Sequence, residues 1–420
     1  MLAVVSEAPS PARSIGSTAL LALGVNGIVG VGIFFAPSEL ASLAGARGSV
    51  IVLAAVALAL VPVAATFAAL GRRFGEDGGP VTFARHAFGD EAAFAVGWLS
   101  YVSALFSTSA VASGLAHALV SPARATWASI ALTVTLTAVV ALGIDVSKRV
   151  WSAITLLKLA PLVLLAVLIL VSTGRDVALP SPAPAALSFG RAALVACFAF
   201  QGFEVVPVVA GQAKSPARAV PIAILGSLAI AAALYLVLQW GFVTTATSLP
   251  VDAPLVHAGT ILGGERMGAL LRAGTSVSAL GIAFGMMVTT PRYLSSTVPS
   301  SALGRFSARG VPLGALGVTA AAMVVVLAGS SLAELFTLSS LAVVLQYAMV
   351  AAALGKLAVT RSHGLAPAHL ALAGVTLAIA AALLTVPDRK EWISLAVLVA
   401  AGALIRLKFG PSGPPRIPGS

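Results

Sequence analysis

Long apolar stretches alternate with short polar connections along most of the chain. An α-helix of about 20 apolar residues crosses the ~30 Å hydrocarbon core of a bilayer, whereas the strands of a membrane barrel alternate apolar and polar residues over about ten positions. The stretches have the helical length and no such alternation, so the pattern predicts an all-α polytopic membrane protein with twelve transmembrane helices. The twelve predicted spans are 15–43, 48–71, 92–119, 125–143, 150–172, 188–211, 219–242, 268–290, 312–330, 334–354, 367–386 and 391–408.

Composition supports this interpretation. Hydrophobic residues make up 59% of the 420 positions and charged residues 9%, and the mean hydropathy is +1.03. A soluble domain carries roughly 25% charged residues. Lipid is therefore expected to be the solvent for most of the surface, and the backbone polar groups must be satisfied inside helices.

The excess of positive charge is interpreted as a topology signal. A net charge of +11 would suggest nucleic-acid binding in a soluble protein, but here the cations lie between the apolar stretches. With a cytoplasmic N-terminus, sixteen of the 25 Lys and Arg residues fall on the cytoplasmic side and eight on the other, with Lys158 inside a span. The positive-inside rule then places both termini in the cytoplasm of a protein of the cytoplasmic (inner) membrane, with anionic lipid rather than nucleic acid as a partner.

The N-terminus and the single cysteine add two expectations. Residues 1–14 are short, contain Pro9 and Pro11 and lead into an apolar stretch too long for a signal sequence, so no cleavable signal peptide is expected. Cys197 is the one cysteine of the chain, which excludes an intrachain disulfide.

The first span contains an unusual concentration of glycine. Four glycines fall within nine residues, at 24, 27, 30 and 32, and Pro37 follows. Each glycine weakens a helix by ~1 kcal/mol relative to alanine, so this segment is predicted to unwind. Close packing against a neighbouring helix is the alternative, because small residues are common at helix contacts in membranes.

The sixth span has a second interruption. Gln201, Gly202 and Glu204 lie in the middle of an apolar stretch, and Pro207 follows. A carboxylate at this depth costs at least ~2.5 kcal/mol unless it is neutral or faces a cavity, which makes Glu204 a candidate for function. The alternative is a structural hydrogen bond to a neighbouring broken helix.

The spacing of the two interruptions predicts an internal repeat. The interrupted spans are five helices apart, so a second five-helix unit would be inserted upside down relative to the first. The predicted units are 15–172 and 188–354, with 367–408 as two additional helices in one transmembrane domain of residues 1–420. Paired broken helices in inverted repeats mark the midplane site of a transporter. Free amides at one helix end attract a carboxylate and free carbonyls at another attract an ammonium, so the sequence favours a zwitterionic amino acid as substrate.

Lys158 lies about eight residues into the fifth span, or ~12 Å along a helix. Its side chain either reaches back toward the cytoplasm or points at the break in the first span. Burial favours the neutral form of a lysine, so the second arrangement would suit a proton carrier.

Several motifs resemble those of the amino acid–polyamine–organocation (APC) superfamily. Residues 27–34, Gly-Ile-Val-Gly-Val-Gly-Ile-Phe, resemble its first-helix motif, and 200–204, Phe-Gln-Gly-Phe-Glu, resemble its sixth helix. The loop 214–221 and the segments 83–89 and 97–98 are also similar to the family. The resemblance covers the first ten spans in order.

This resemblance implies a LeuT-type 5+5 inverted-repeat fold and secondary transport. It implies that the substrate carboxylate meets the amides of Gly30, Val31 and Gly32, and that carbonyls near Ile28 and at Phe198–Gln201 meet its ammonium. The implied substrate-binding residues are Ile28, Gly30, Val31, Gly32, Ser107, Thr108, Phe198, Ala199, Gln201, Gly202, Met286 and Ser339, with Phe198 also acting as the gate. Lys158 matches a lysine found where sodium-coupled relatives bind an ion, which implies proton coupling or exchange, with Lys158 and Glu204 as coupling residues.

Two segments depart from the family pattern. Gly211-Gln212 stands where many members have an acidic pair, and Arg292 to Pro312 lacks the usual acidic-Gly stretch. These departures concern the coupling mechanism and the cytoplasmic gate.

The sequence therefore favours a secondary active transporter for neutral amino acids that works by alternating access, as a proton symporter or an exchanger. A polyamine or cationic amino acid carrier is the alternative if Glu204 reaches the substrate, and a sensor without turnover or a channel is a lower one. The intramembrane polar residues form no catalytic or metal-binding pattern, so no enzymatic activity, cofactor or metal is expected. Helices 367–408 lie outside the repeats and leave a homodimer possible.

Overall fold

The apolar stretches fold as helices. The structure is a computed structural model that describes residues 15–143, 148–172, 188–249, 253–298 and 302–409, without the side chains of Val31, residues 148–158 and Phe409. In the described part, extended pairing is limited to one isolated bridge between Ile15 and Ala213. The α-helices are α1 (Ser17–Ile28), α2 (Val31–Ala44), α3 (Ala46–Arg73), α4 (Pro80–Phe88), α5 (Asp90–Leu119), α6 (Pro122–Ala141), α7 (Lys148–Val171), α8 (Phe189–Phe200), α9 (Pro216–Thr245), α10 (Pro254–Thr297), α11 (Leu313–Gly329), α12 (Leu332–Val359), α13 (His369–Leu384) and α14 (Arg389–Phe409).

Many of these helices satisfy the length and polarity needed to cross a bilayer. Seven continuous helical segments of the described chain qualify, and up to nine do if each of two bent pairs counts as one span. The bent pairs are α1 with α2, at 44°, and α13 with α14, at 117°. The fold is thus that of a multi-pass membrane protein, and twelve crossings remain a prediction.

Local sequence signals explain where several helices begin. Proline occupies the first helical position of α4, α6, α9 and α10, where its missing N–H costs no hydrogen bond. Ser331 and Glu334 form a reciprocal capping box at the start of α12. Inside α10, Gly264 adopts a φ of 72° and turns the chain sharply between two helical parts.

The two halves of the first bent pair pack on different neighbours. Helix α1 packs mainly on α9 and on a 3₁₀ helix at Phe203–Gln212, whereas α2 packs on α8, α3 and α10. The start of α1 is also joined to the end of that 3₁₀ helix, because Ile15 N–H donates to the Gln212 carbonyl and Lys214 N–H to the Ile15 carbonyl, both at 2.9 Å. Each half of the first helix therefore belongs to a different packing group.

The last two helices dock on the outside of this bundle. Helix α13 packs on α12 and α3, where the Thr376 and Thr66 hydroxyls lie 2.9 Å apart. Helix α14 packs on α12 and α5, where Trp98 Nε1 donates to the Leu398 carbonyl at 2.9 Å. Hydrogen bonds of this kind stabilise helix contacts in lipid, where packing alone has little hydrophobic drive.

Candidate functional site

The first interruption separates α1 from α2. Helix α1 ends at Ile28, Val29 and Gly30 have non-helical backbone angles, and α2 resumes at Val31. No side chain caps the start of α2. The first N–H groups of a helix have no partner within the helix, so this end presents backbone donors and the positive end of a helix dipole.

The second interruption separates α8 from the 3₁₀ helix. Helix α8 ends at Phe200, and the 3₁₀ helix begins at Phe203. Between them, Gly202 has a φ of 129°, a conformation that residues with a side chain rarely adopt. The Phe198 carbonyl accepts from the Gln201 N–H at 3.2 Å, and the last turn of carbonyls gives this end a partial negative charge.

The two interruptions lie directly against each other. A Cβ atom added to Gly202 would lie 2.6 Å from the Ile28 nitrogen and closer still to the Gly27 carbonyl. One added to Gly32 would lie 2.7 Å from Ala199 Cα. Both interpretations of the glycines, unwinding and close packing, therefore describe part of the structure. The glycines lie at the interruption of the first helix, and they let the backbones of the two broken helices touch.

A hydroxyl and amide network surrounds the second interruption. The Gln201 side chain accepts from Ser339 Oγ at 3.0 Å and from Ser107 Oγ at 3.4 Å, and it donates to Ser340 Oγ at 3.3 Å. Ser107 and Ser339 Oγ lie 2.7 Å apart. Helices α5 and α12 and the break after α8 thus bring three of the predicted site residues, Ser107, Gln201 and Ser339, into one uncharged polar cluster.

Glu204 is held at the same interruption. Its Oε2 accepts from the Gly202 N–H at 2.8 Å and from the Tyr347 hydroxyl at 3.4 Å. These contacts are structural hydrogen bonds, but they run to its own break and to α12 rather than to a neighbouring broken helix. The side chain is only partly buried.

The remaining predicted residues lie in varied surroundings. Phe198 is buried, and its ring packs on Phe336 with centroids 4.4 Å apart. Thr108 pairs with Thr290 on α10 at 3.0 Å, and Met286 is partly buried on the same helix. Among the described hydrogen bonds, none links Thr108 or Met286 to the cluster of Ser107, Gln201 and Ser339. The side chains of Lys158 and Val31 lie outside the described part of the chain.

Helix α9 contributes residues that sequence reasoning missed. The Tyr235 hydroxyl donates to the Ile28 carbonyl at 2.8 Å, in the break. Gln239 Nε2 donates to the Pro37 carbonyl at 3.2 Å and to Ser49 Oγ at 2.9 Å. The sequence did contain a signal for them. Tyr235 and Gln239 are polar residues four positions apart in an apolar span, so they lie on the same face of the helix.

Hydrogen bonds from α9 thus reach both halves of the interrupted first helix. Ile282 of α10 was also missed: its Cδ1 would lie 3.8 Å from a Cβ added to Gly30. Among the described residues, no group of three or more His, Cys, Asp or Glu side chains is arranged to hold a metal ion.

Two apposed broken helices within a multi-pass bundle define a membrane transporter of small molecules. Residues 15–401 match the family described as Amino acid permease, and the chain belongs to that family within the APC superfamily.

Curated relatives agree with this assignment. An uncharacterized transporter of Mycobacterium tuberculosis is 28% identical over 362 residues, which cover 80% of this chain and 78% of the relative. The branched-chain amino acid permease BcaP of Bacillus subtilis is 29% identical over 61% of this chain and 60% of the relative. The human cationic amino acid transporter 4 is 25% identical over 67% of this chain and 48% of the relative. The family and these relatives are transporters rather than enzymes.

Proposed function

We propose that the protein is a secondary active transporter that moves neutral amino acids across the cytoplasmic membrane by alternating access. The observation that carries this proposal is the contact between the two breaks at Gly27 and Gly202. Beside it, the contact of Gly32 with Ala199 puts the uncapped amide end of α2 close to the carbonyl end of α8. An α-amino acid carries the two charges that complement these ends.

The proposed binding mode assigns the backbone groups by charge. The substrate carboxylate meets the amides at Gly30, Val31 and Gly32, and its ammonium meets carbonyls of Ile28 and of the end of α8. The Ile28 carbonyl already accepts from Tyr235, and this hydrogen bond fixes its direction while leaving it a second lone pair. Phe198 is the proposed gate over the substrate.

Uncharged surroundings support a neutral side chain. Ser107, Gln201 and Ser339 bond to one another and carry no charge, and the Glu204 carboxylate is engaged with Gly202 and Tyr347. A charged substrate side chain would lose hydration here without gaining an opposite charge. The name of the branched-chain amino acid permease relative agrees with this choice.

A polyamine or cationic amino acid carrier is the second candidate. It is favoured by the partial exposure of Glu204 at the break, which would give a cationic group a carboxylate partner. The human relative named as a cationic amino acid transporter supports the same alternative.

The remaining architecture is part of the same proposal. It comprises twelve crossings, a 5+5 inverted repeat followed by α13 and α14, cytoplasmic termini and proton coupling or exchange through Lys158 and Glu204. The different packing partners of α1 and α2 support motion of one half of the broken helix relative to the other.

Uptake into proteoliposomes tests this function. We expect saturable uptake of a radiolabelled neutral amino acid, inhibited by other neutral amino acids and much less by arginine or a polyamine. Inhibition by cationic compounds alone would instead support the second candidate, and uptake of neither class would contradict both.

The coupling role is tested separately with Lys158→Ala. We expect this variant to lose the stimulation of uptake by an inwardly directed proton gradient, or the pH dependence of exchange. Arg124→Ala, which removes an exposed cation from the first turn of α6, is the control that should keep both. An unaltered pH dependence in Lys158→Ala would exclude its coupling role.

A further inference from the structure

The beginning of α8 is attached to the turn between α13 and α14 by charged side chains. Arg191 Nη2 lies 3.2 Å from Asp388 Oδ2, and its Nη1 lies 2.5 Å from Glu391 Oε1. The Glu391 side chain is 5% exposed and that of Arg191 29%. Hydrogen-bonded ion pairs that are shielded from water interact more strongly than exposed pairs.

The acidic partner of Arg191 is preorganised. Asp388 N–H donates to Glu391 Oε2 at 2.8 Å, and Glu391 N–H donates to Asp388 Oδ1 at 3.0 Å. The Glu391 N–H, with Arg191 as a smaller contributor, holds the pKa of Asp388 below its usual range. The turn therefore presents two fixed acceptors to Arg191.

Close packing brings the ends of three elements together here. A Cβ atom added to Gly190 would lie 3.0 Å from Val386, in the same turn. Ser188 N–H donates to the Leu43 carbonyl at 2.6 Å, which joins the chain entering α8 to the end of α2. The turn between α13 and α14 is thus in position to restrain α8 directly.

Helix α8 transmits this restraint to the candidate site. Phe198 lies seven residues after Arg191 on the same helix, or ~10 Å along its axis. A tilt of α8 would therefore move Phe198 and Ala199 relative to α2 and α12.

We propose that Arg191 is a positioning residue, and that its contact with Asp388 and Glu391 is a clamp through which the α13–α14 turn limits the opening of α8. The clamp gives the two helices outside the proposed repeats a role in gating. This inference rests on the proposed alternating-access function, in which the broken helices move.

The chain contains a matched control in a second ion pair of α14. Arg406 Nη2 lies 2.7 Å from Glu91 Oε1, and Arg406 Nε lies 3.1 Å from Glu91 Oε2. This pair joins α14 to α5, which is not one of the interrupted helices. Loss of either pair weakens the docking of α14, but only loss of the Arg191 pair releases α8.

The single cysteine provides a direct readout. Cys197 is fully buried on α8, one turn after Leu194, whose carbonyl accepts from the Ser340 hydroxyl of α12 at 2.8 Å. Tilting of α8 away from α12 would expose this thiol to a maleimide reagent. The labelling rate therefore measures the opening of α8 without requiring any known substrate.

The experiment compares maleimide labelling of Cys197 in purified protein in lipid nanodiscs. We expect Arg191→Gln to raise the labelling rate by about tenfold or more, Arg191→Lys to raise it less because one charged contact is kept, and Arg406→Gln to leave it near the wild-type rate. Asp388→Asn, which removes the charge of an exposed carboxylate, should also raise the labelling rate. It serves as the test variant if the Arg191→Gln protein does not fold.

A wild-type rate in both Arg191→Gln and Asp388→Asn would overturn the clamp. Equal acceleration in Arg191→Gln and Arg406→Gln would also overturn it, because the contact would then be only a general anchor for α14. Since labelling is measured without transport, these outcomes are distinct from a failure to find amino acid uptake.

Discussion

At the residue scale, the candidate site contains a cluster of three uncharged polar side chains from three elements, Ser107, Gln201 and Ser339. Ser107 contacts both Gln201 and Ser339 from the middle of α5, whereas Ser100, two turns earlier, bonds only to the Val96 carbonyl of its own helix. Polar groups in a low-dielectric interior support one another, so removal of one hydroxyl takes a hydrogen bond from each of its partners.

Ser107→Ala is therefore expected to weaken substrate binding. The loss of one such hydrogen bond costs about 0.5–1.5 kcal/mol, so the KM for uptake should rise by roughly two- to tenfold, with a smaller change in the amount of folded protein. Ser100→Ala is the matched control and should leave KM within about twofold. Equal KM values for the two variants would place the substrate away from this cluster.

The residue scale is also where sequence reasoning is least complete. Gln201 and Glu204 were recognisable because polar groups in an apolar span are costly. Two of their partners, Ser340 and Tyr347, were not, because they come from another helix and their contacts depend on how α12 packs. Tyr235 was missed for the same reason, although its position one turn before Gln239 was visible in the sequence.

At the scale of elements, the fit between the two broken helices depends on backbone contact. Gly202 combines a φ of 129° with a position against Gly27 and Ile28 that leaves no room for a side chain. Its substitution therefore has both a conformational and a steric cost.

Gly202→Ala is expected to destabilise the protein by about 2–4 kcal/mol and to abolish uptake in whatever fraction still folds. Thermal unfolding in detergent and uptake by proteoliposomes measure the two effects. Gly374→Ala in α13 is the control, because an added Cβ there meets nothing within 4 Å and alanine favours a helix. A Gly202→Ala protein with wild-type melting and uptake would show that the breaks need not touch.

Helix positions were largely predictable, but helix ends were not. Helix α3 extends from Ala46 to Arg73 and contains the whole predicted span 48–71. This agreement is expected, because a long apolar segment in lipid can satisfy its backbone hydrogen bonds only as a helix. Helix α10 instead begins at Pro254, well before the predicted span 268–290. Its first part packs back on the second across Gly264, with Gly268 against Thr260, a tertiary contact that hydropathy does not encode.

At the scale of the whole molecule, packing divides the broken helices into two groups. Helix α1 and the 3₁₀ helix are joined through the Ile15–Ala213 bridge, while α2 and α8 touch at Gly32 and Ala199. A substrate between the groups would contact both, so motion of one group relative to the other would change its exposure. This division supports alternating access, and the Arg191 clamp would act on the second group.

The central claim is that the substrate binds between the two breaks, and uptake by a Gly30→Leu variant tests it most directly. A Cβ atom at Gly30 would have its nearest neighbour at 3.6 Å, so this position has room for a Cβ, and the larger leucine side chain is chosen to fill the proposed substrate space. The control is Gly317→Leu in α11, where an added Cβ meets nothing within 4 Å. We expect Gly30→Leu to fold and lose uptake of the neutral amino acid while Gly317→Leu transports normally. Wild-type uptake by a correctly folded Gly30→Leu protein would contradict the proposed site.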